Sequence, residues 1–235
     1  MDAPVVTLFE AYGAGASQIG PRVADELGVP WIGQSLSSEQ LEAVDTRATG
    51  SGLVTSILTA ISGPQQQRYR SVEDARLQQD ITASVKDAIR EHGGVILGRN
   101  ATAVLARDPR VLHVKLDGGV DDRVARAAHE ARITGERAHA RLVREDRSRA
   151  EIALQLFGWD PRQTSAFDLV VNTSTFGVDE TVRLIVGAYH HKAAAADEAT
   201  TWLPRSAQLP GPSTAAPAVG PGEPMDRSAG ASPLD

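Results

Sequence analysis

The apolar residues of the first thirty positions follow two rhythms. Val5, Val6, Thr7, Leu8 and Phe9 are consecutive and rich in β-branched side chains, the pattern of a short strand buried on both faces. From Gln18 onward the spacing is helical: Ile19, Val23 and Leu27 recur every four residues, and Gly28 stands where a C-cap glycine belongs. Tyr12-Gly13-Ala14-Gly15-Ala16-Ser17 lies between them, made of small residues that do not crowd an approaching ligand. Strand, glycine turn and helix are therefore predicted in that order.

The same alternation continues. Val29-Pro30-Trp31-Ile32-Gly33 predicts a brief extended piece, and Ser37 or Ser38 would cap a helix starting near Glu39. Leu53 to Ile61 reads as a buried helix ended by Gly63-Pro64, and Gln65 to Arg70 as an exposed polar connection. Ser71, with Asp74 three residues on, is placed to cap a helix whose stripe is Leu77, Ile81, Val85 and Ile89, stopped by His92-Gly93-Gly94. Val95-Ile96-Leu97 is a second buried strand, Ala101 to Ala106 a small helix, and Val111 to Leu116 a third strand. Val120, Val124, Ala127 and Ala131 share one helical face, Thr134-Gly135 turns the chain, and a second helix runs from about Ala138 to Phe157. After the turn Phe157-Gly158-Trp159-Asp160-Pro161, a last strand covers Asp168 to Asn172, and Val178, Val182, Ile185 and Tyr189 stripe a closing helix. This order predicts an α/β protein with a three-layer parallel sheet flanked by helices.

Beyond about Lys192 the chain is rich in Ala, Pro, Gly and Ser and cannot bury enough surface to offset its ordering entropy. The expected division is a folded domain over 1–192 and a disordered tail over 193–235.

Composition narrows the function classes. A net charge of −6 gives no general affinity for nucleic acid or acidic membranes. The absence of cysteine excludes disulfides and thiolate metal sites and is compatible with the cytoplasm. No signal peptide and no apolar run of about 20 residues is present, so no membrane partner is expected. The histidines have no ligand spacing, and Gly-x-Ser-x-Gly does not follow any predicted strand.

Two features carry candidate chemistry. The turn after the first strand brings several backbone N–H groups and a helix N-terminus to one point, an anion site most often used for phosphate. A full P-loop reads Gly-x-x-x-x-Gly-Lys-Ser/Thr; with Gly15 as its second glycine, Glu10 holds the first glycine position, Ala16 the lysine and Ser17 the hydroxyl. A strand-to-helix turn whose glycines serve geometry alone is the alternative. The second feature is a set of eight arginines between Arg123 and Arg149, interleaved with acidic residues. It reads either as a compact set folding over a polyphosphate or as solvated helix surfaces joined by i,i+4 pairs.

In the order of these parts the sequence resembles the cytidylate kinase-like family of P-loop nucleoside monophosphate kinases. The resemblance rests on Glu10-Ala11-Tyr12-Gly13-Ala14-Gly15, on Val95-Ile96-Leu97-Gly98-Arg99-Asn100-Ala101, and on Asp146-Arg147-Ser148-Arg149-Ala150 followed by Asp168-Leu169-Val170-Val171-Asn172-Thr173-Ser174. It implies phosphoryl transfer from ATP to a nucleoside monophosphate, CMP or dCMP, with Mg2+. By position, Gly13, Ala14, Gly15, Ala16, Ser17 and Gln18 would hold the donor phosphates, with Ser17 also the metal ligand. Arg99 would contact the acceptor, and Arg123 and Arg126 would belong to an arginine-rich lid over about 119–157. Asp146 and Arg149 would serve acceptor recognition and lid closure. Three departures stand out: Ala16 for the loop lysine, Leu97 for an aspartate near the metal, and Leu142-Val143 for an Arg-Asp pair. They raise the alternative of a nucleotide-binding regulatory or scaffolding module without chemistry.

Overall fold

The computed structural model describes residues 3–33, 64–98 and 100–197. Its strands are β1 (Val5–Glu10), β2 (Trp31–Ile32), β3 (Gly94–Leu97), β4 (Leu112–Asp117) and β5 (Leu169–Asn172), all parallel in the order β2-β3-β1-β4-β5. Its helices are α1 (Ala16–Leu27), α2 (Pro64–Ile89), α3 (Ala101–Val104), α4 (Val120–Ala131), α5 (Gly135–Phe157) and α6 (Val178–Asp197). β1 is central, with Val6 opposite both Val95 of β3 and Leu112 of β4. The chain fills the β2-β3 side first and the β4-β5 side second, so strand order reverses at β1. Ligands of open α/β sheets sit at such a reversal, outside the carboxyl ends of the strands.

Alternation along each strand divides the core between two layers. Val6, Leu8, Val95, Leu97, Val114, Leu116 and Val171 form one cluster with Ile19 and Val23 of α1 and Val182, Ile185 and Tyr189 of α6. Trp31 packs at its margin, where a Cβ on Gly20 would lie 2.2 Å from the indole. Ile96 faces the opposite layer, with Val85 of α2 and Ala101 of α3. There the buried Thr7 hydroxyl lies 2.8 Å from His113 Nδ1 and 3.0 Å from the Thr102 hydroxyl, a polar link across two strands and a helix. Phe9, Trp159 and Phe167 close this face, with centroids 5.7 to 6.1 Å apart.

Four local expectations are corrected. α2 begins at Pro64, so Gln65 to Arg70 is helical and Ser71 lies inside the helix rather than at its cap. Pro supplies a φ suited to a first helical position and the glutamines that follow are good helix formers, but they carry no apolar stripe to show it. In α2, Val85 is buried while Leu77 is exposed. On α4 the buried positions are Arg123 and Ala127, and Val120 at the first turn is exposed. α6 continues past Lys192 to Asp197, with Ala193 against the core. The helices expected near Glu39 and over Leu53 to Ile61 lie outside the described residues, as does the chain after 197.

Candidate functional site

β1 ends at Glu10, and the next five residues fold into a tight loop before α1. Gly13 and Gly15 have φ of +77° and +90°, a region L side chains rarely adopt. Gly13 has a second constraint, because a Cβ there would lie 2.4 Å from the Arg123 carbonyl oxygen of α4. Ala11 N donates to Leu116 O and Ala14 N to Ala11 O, both at 2.9 Å, so the loop is tied to β4 and to itself.

Gly15 is the residue at the N-cap of α1 and contributes no side-chain cap. The Glu10 carboxylate fills that role: its Oε1 accepts from Gly15 N at 2.9 Å and Ala16 N at 3.0 Å. The helix start and the loop N–H groups therefore bind an anion, and the anion is the chain's own side chain. Removal from water pushes the Glu10 carboxyl above its ordinary 4.5, against the pull of Arg149 and the two N–H groups. Sequence reasoning placed Glu10 at a glycine position of the loop and at the head of the first family marker, with no role of its own. The available signal was a carboxylate at the end of a strand, one loop ahead of an uncapped helix.

The arginines converge on this loop. Arg126 of α4 donates to Gly13 O at 2.6 Å and to Thr173, and its stem runs alongside Gly15. Arg149 of α5 donates to Glu10 O at 3.0 Å and pairs with Glu145 at 3.1 Å. Arg123 is buried, donating to Tyr12 O at 3.3 Å and to Asp146 at 2.8 Å. Asp146 also accepts from Tyr12 N at 2.7 Å, so α5 grips the loop backbone through the same carboxylate that neutralises Arg123. Of the expected site residues, Gly13 to Gln18, Arg123, Arg126, Asp146 and Arg149 thus come together around one loop, and Arg99 lies outside the described residues.

Ser17 and Gln18, at the start of α1, both turn to Glu130 of α4, at 3.4 and 2.7 Å. Among the described residues no group of three or more His, Cys, Asp or Glu is spaced to hold a metal ion, and no helix is long and apolar enough to cross a membrane. Two cavities flank the loop. One of about 180 Å3 lies toward β3, lined by Glu10, Gly98, Asn100, Arg149, Ile152 and Trp159. The other, of about 450 Å3, lies toward β4 under α5. Lys115, a lining residue that sequence reasoning missed, is buried there in β4 and paired with Asp117 at 3.1 Å. Its signal was a lysine between Val114 and Leu116 in a buried strand.

A parallel 2-3-1-4-5 sheet with an anion-binding loop and helix at the end of its central strand defines a P-loop NTPase-like α/β protein. The chain belongs to the cytidylate kinase-like family, whose family model matches residues 5–175. It is 26% identical over 174 residues to a cytidylate kinase of Aeropyrum pernix, covering 74% of this chain and 92% of that protein. It is also 32% identical over 119 residues to a uronate isomerase of Corynebacterium glutamicum. That match covers 51% of this chain but 23% of the relative, so the chain spans under a quarter of that protein's length. Among solved structures, an uncharacterized protein from Eubacterium ventriosum superposes with a TM-score of 0.57 at 15% identity, covering 80% of this chain and 98% of the other.

Proposed function

We propose that this protein transfers a phosphoryl group from ATP to a nucleoside monophosphate, with CMP or dCMP the acceptor. The observation that supports this most is the loop itself. Two N–H groups at the start of α1 hold a carboxylate, and guanidinium groups of two further helices flank the same backbone. Phosphoryl transfer asks the protein for positioning and for neutralisation of spread negative charge. Arg126 and Arg149, bonded to the Gly13 and Glu10 carbonyls, bring positive charge beside a loop in which Ala16 supplies none.

In this proposal Gly13 to Gln18 hold the donor phosphates, and ATP supplies the transferable group. Ser17 and Glu130 present hard oxygen donors of the kind Mg2+ accepts beside nucleotide phosphates, with Ser17 the ligand. Arg99, Asp146 and Arg149 contact the acceptor, with Asp146 also holding the loop and Arg123 beside it. In this reading the working domain runs through the end of α6 at Asp197, with 119–157 as its lid.

Incubation with Mg2+, ATP and each nucleoside monophosphate in turn tests the proposal. ADP and CDP or dCDP should appear, with slower turnover of UMP, AMP and GMP. A second reading, a nucleotide-binding module without chemistry, is favoured by Leu97 at the aspartate position and by Glu10 lying on the loop N–H groups. ATP binding by calorimetry with no diphosphate product from any acceptor would select it.

A further inference from the structure

We infer that Glu10 is a built-in occupant of the phosphate loop, so that a phosphate binds only by displacing its carboxylate. The inference rests on the proposed function in taking this loop as the phosphate site, and it adds a competition between the protein's own anion and the ligand. One oxygen, Oε1, takes both the Gly15 and the Ala16 N–H, at 2.9 and 3.0 Å. These are donors of the helix start that an incoming phosphate oxygen needs. Each donates to one strong partner at a time, so carboxylate and phosphate exclude one another at this point.

The neighbouring charges explain why the carboxylate rests on the N–H groups. Ala16 leaves the loop without its own cation. From α4, Arg126 is committed to Gly13 O and Thr173, Arg123 to Tyr12 O and Asp146, and Glu130 adds a repelling charge. From α5, Arg149 attracts the carboxylate across space but spends its hydrogen bonds on Glu10 O and Glu145. Arg123, Arg126 and Arg149 all spend their hydrogen bonds on other oxygens, so none of the three anchors the carboxylate against leaving. Its way out is the cavity toward β3, which Glu10 and Arg149 both line. A carboxylate turned into that cavity stays near Arg149 while the loop N–H groups are freed.

Calorimetric titration of the full chain with pyrophosphate, and separately with Mg2+-ATP, tests this in the wild type and in Glu10→Ala, Glu10→Gln and Glu10→Asp. Glu10→Ala should bind pyrophosphate at least tenfold more tightly. Glu10→Asp should also gain, because its carboxylate keeps the charge but falls one methylene short of the N–H groups; a gain in Ala without one in Asp means simple charge repulsion and overturns the inference. Equal or weaker binding by Glu10→Ala overturns it, as does failure of every protein to bind pyrophosphate. Glu10→Gln retains the shape and an acceptor oxygen, so its gain should be smaller than that of Glu10→Ala; where the alanine variant proves unstable by thermal unfolding, a gain in Glu10→Asp over the wild type supports occupancy and its absence overturns it. The two proposals separate cleanly. Tighter pyrophosphate binding with no turnover of any monophosphate keeps this inference and removes the kinase, whereas turnover with unchanged pyrophosphate affinity does the reverse.

Discussion

At the scale of single residues the site turns on Glu10 and Ala16, adjacent across the loop. Restoring the missing cation by Ala16→Lys places an ammonium beside the Glu10 carboxylate, which already touches the Ala16 N–H at 3.0 Å. One preorganised charge contact is worth roughly a hundredfold in rate, but a lysine paired to Glu10 is not free to serve a phosphate. Ala16→Lys alone should therefore raise kcat/KM for CMP by less than Ala16→Lys with Glu10→Gln, and the double-mutant cycle measures the difference. Glu10 also marks the pH dependence of stability. Its folded-state pKa lies above the unfolded value, so the native state holds the proton longer and stability falls as pH rises from 4.5 through the raised value. Urea unfolding from pH 4 to 7 should show the wild type losing stability relative to Glu10→Gln across that interval. A relative gain with pH would mean that the two N–H bonds and Arg149 outweigh desolvation.

At the scale of elements, α5 fixes the loop through Asp146, which receives Tyr12 N and Arg123 Nη1. Asp146→Asn keeps one acceptor oxygen but leaves the buried Arg123 charge to Asp117 alone, whose Oδ1 is 4.0 Å from Nε. The expected cost is about 2 kcal/mol, below the roughly 3–5 kcal/mol of a fully buried pair because water reaches the Asp146 carboxylate. A lower denaturant midpoint at unchanged m checks it. The elements themselves were legible where patterning was one-sided. Val5 to Phe9, Val95 to Leu97 and the Ile19-Val23 stripe announced strands and a helix because burial imposes a period on apolar residues. The first turns of α2 were not legible, since a run of polar residues carries no such period. Arg123 was legible as a site candidate but not as a core residue, because its burial depends on Asp146 arriving from α5 and on Gly13 admitting α4 within contact distance. The convergence of arginines on the loop is likewise a property of the sheet order and not of local sequence.

At the scale of the whole molecule, the last helix closes the fold by crossing from the β5 edge back to the start of β4. Lys192 near its end donates to Val111 O at 2.5 Å and pairs with Asp168 at 2.6 Å, and Asp168 also accepts from His113 N at 2.8 Å. One half-buried lysine thus ties α6 to the entrances of both β4 and β5. Loss of hydration lowers its pKa from 10.5 to about 8. With the folded value below the unfolded one, the folded chain sheds this proton first. Between pH 8 and 10.5 the unfolded state binds more protons, and stability rises with pH across that window. Lys192→Met, which keeps the apolar stem, should abolish this rise while lowering stability at neutral pH, where the charged pair with Asp168 is intact. Asp168→Asn should weaken the neutral fold as well, but it leaves Lys192 buried without its carboxylate partner and so extends the alkaline rise to lower pH. Chemical unfolding of the three proteins at pH 7, 8, 9 and 10 separates the two effects; a wild-type profile parallel to that of Lys192→Met over this range would remove Lys192 as the closing contact of the domain.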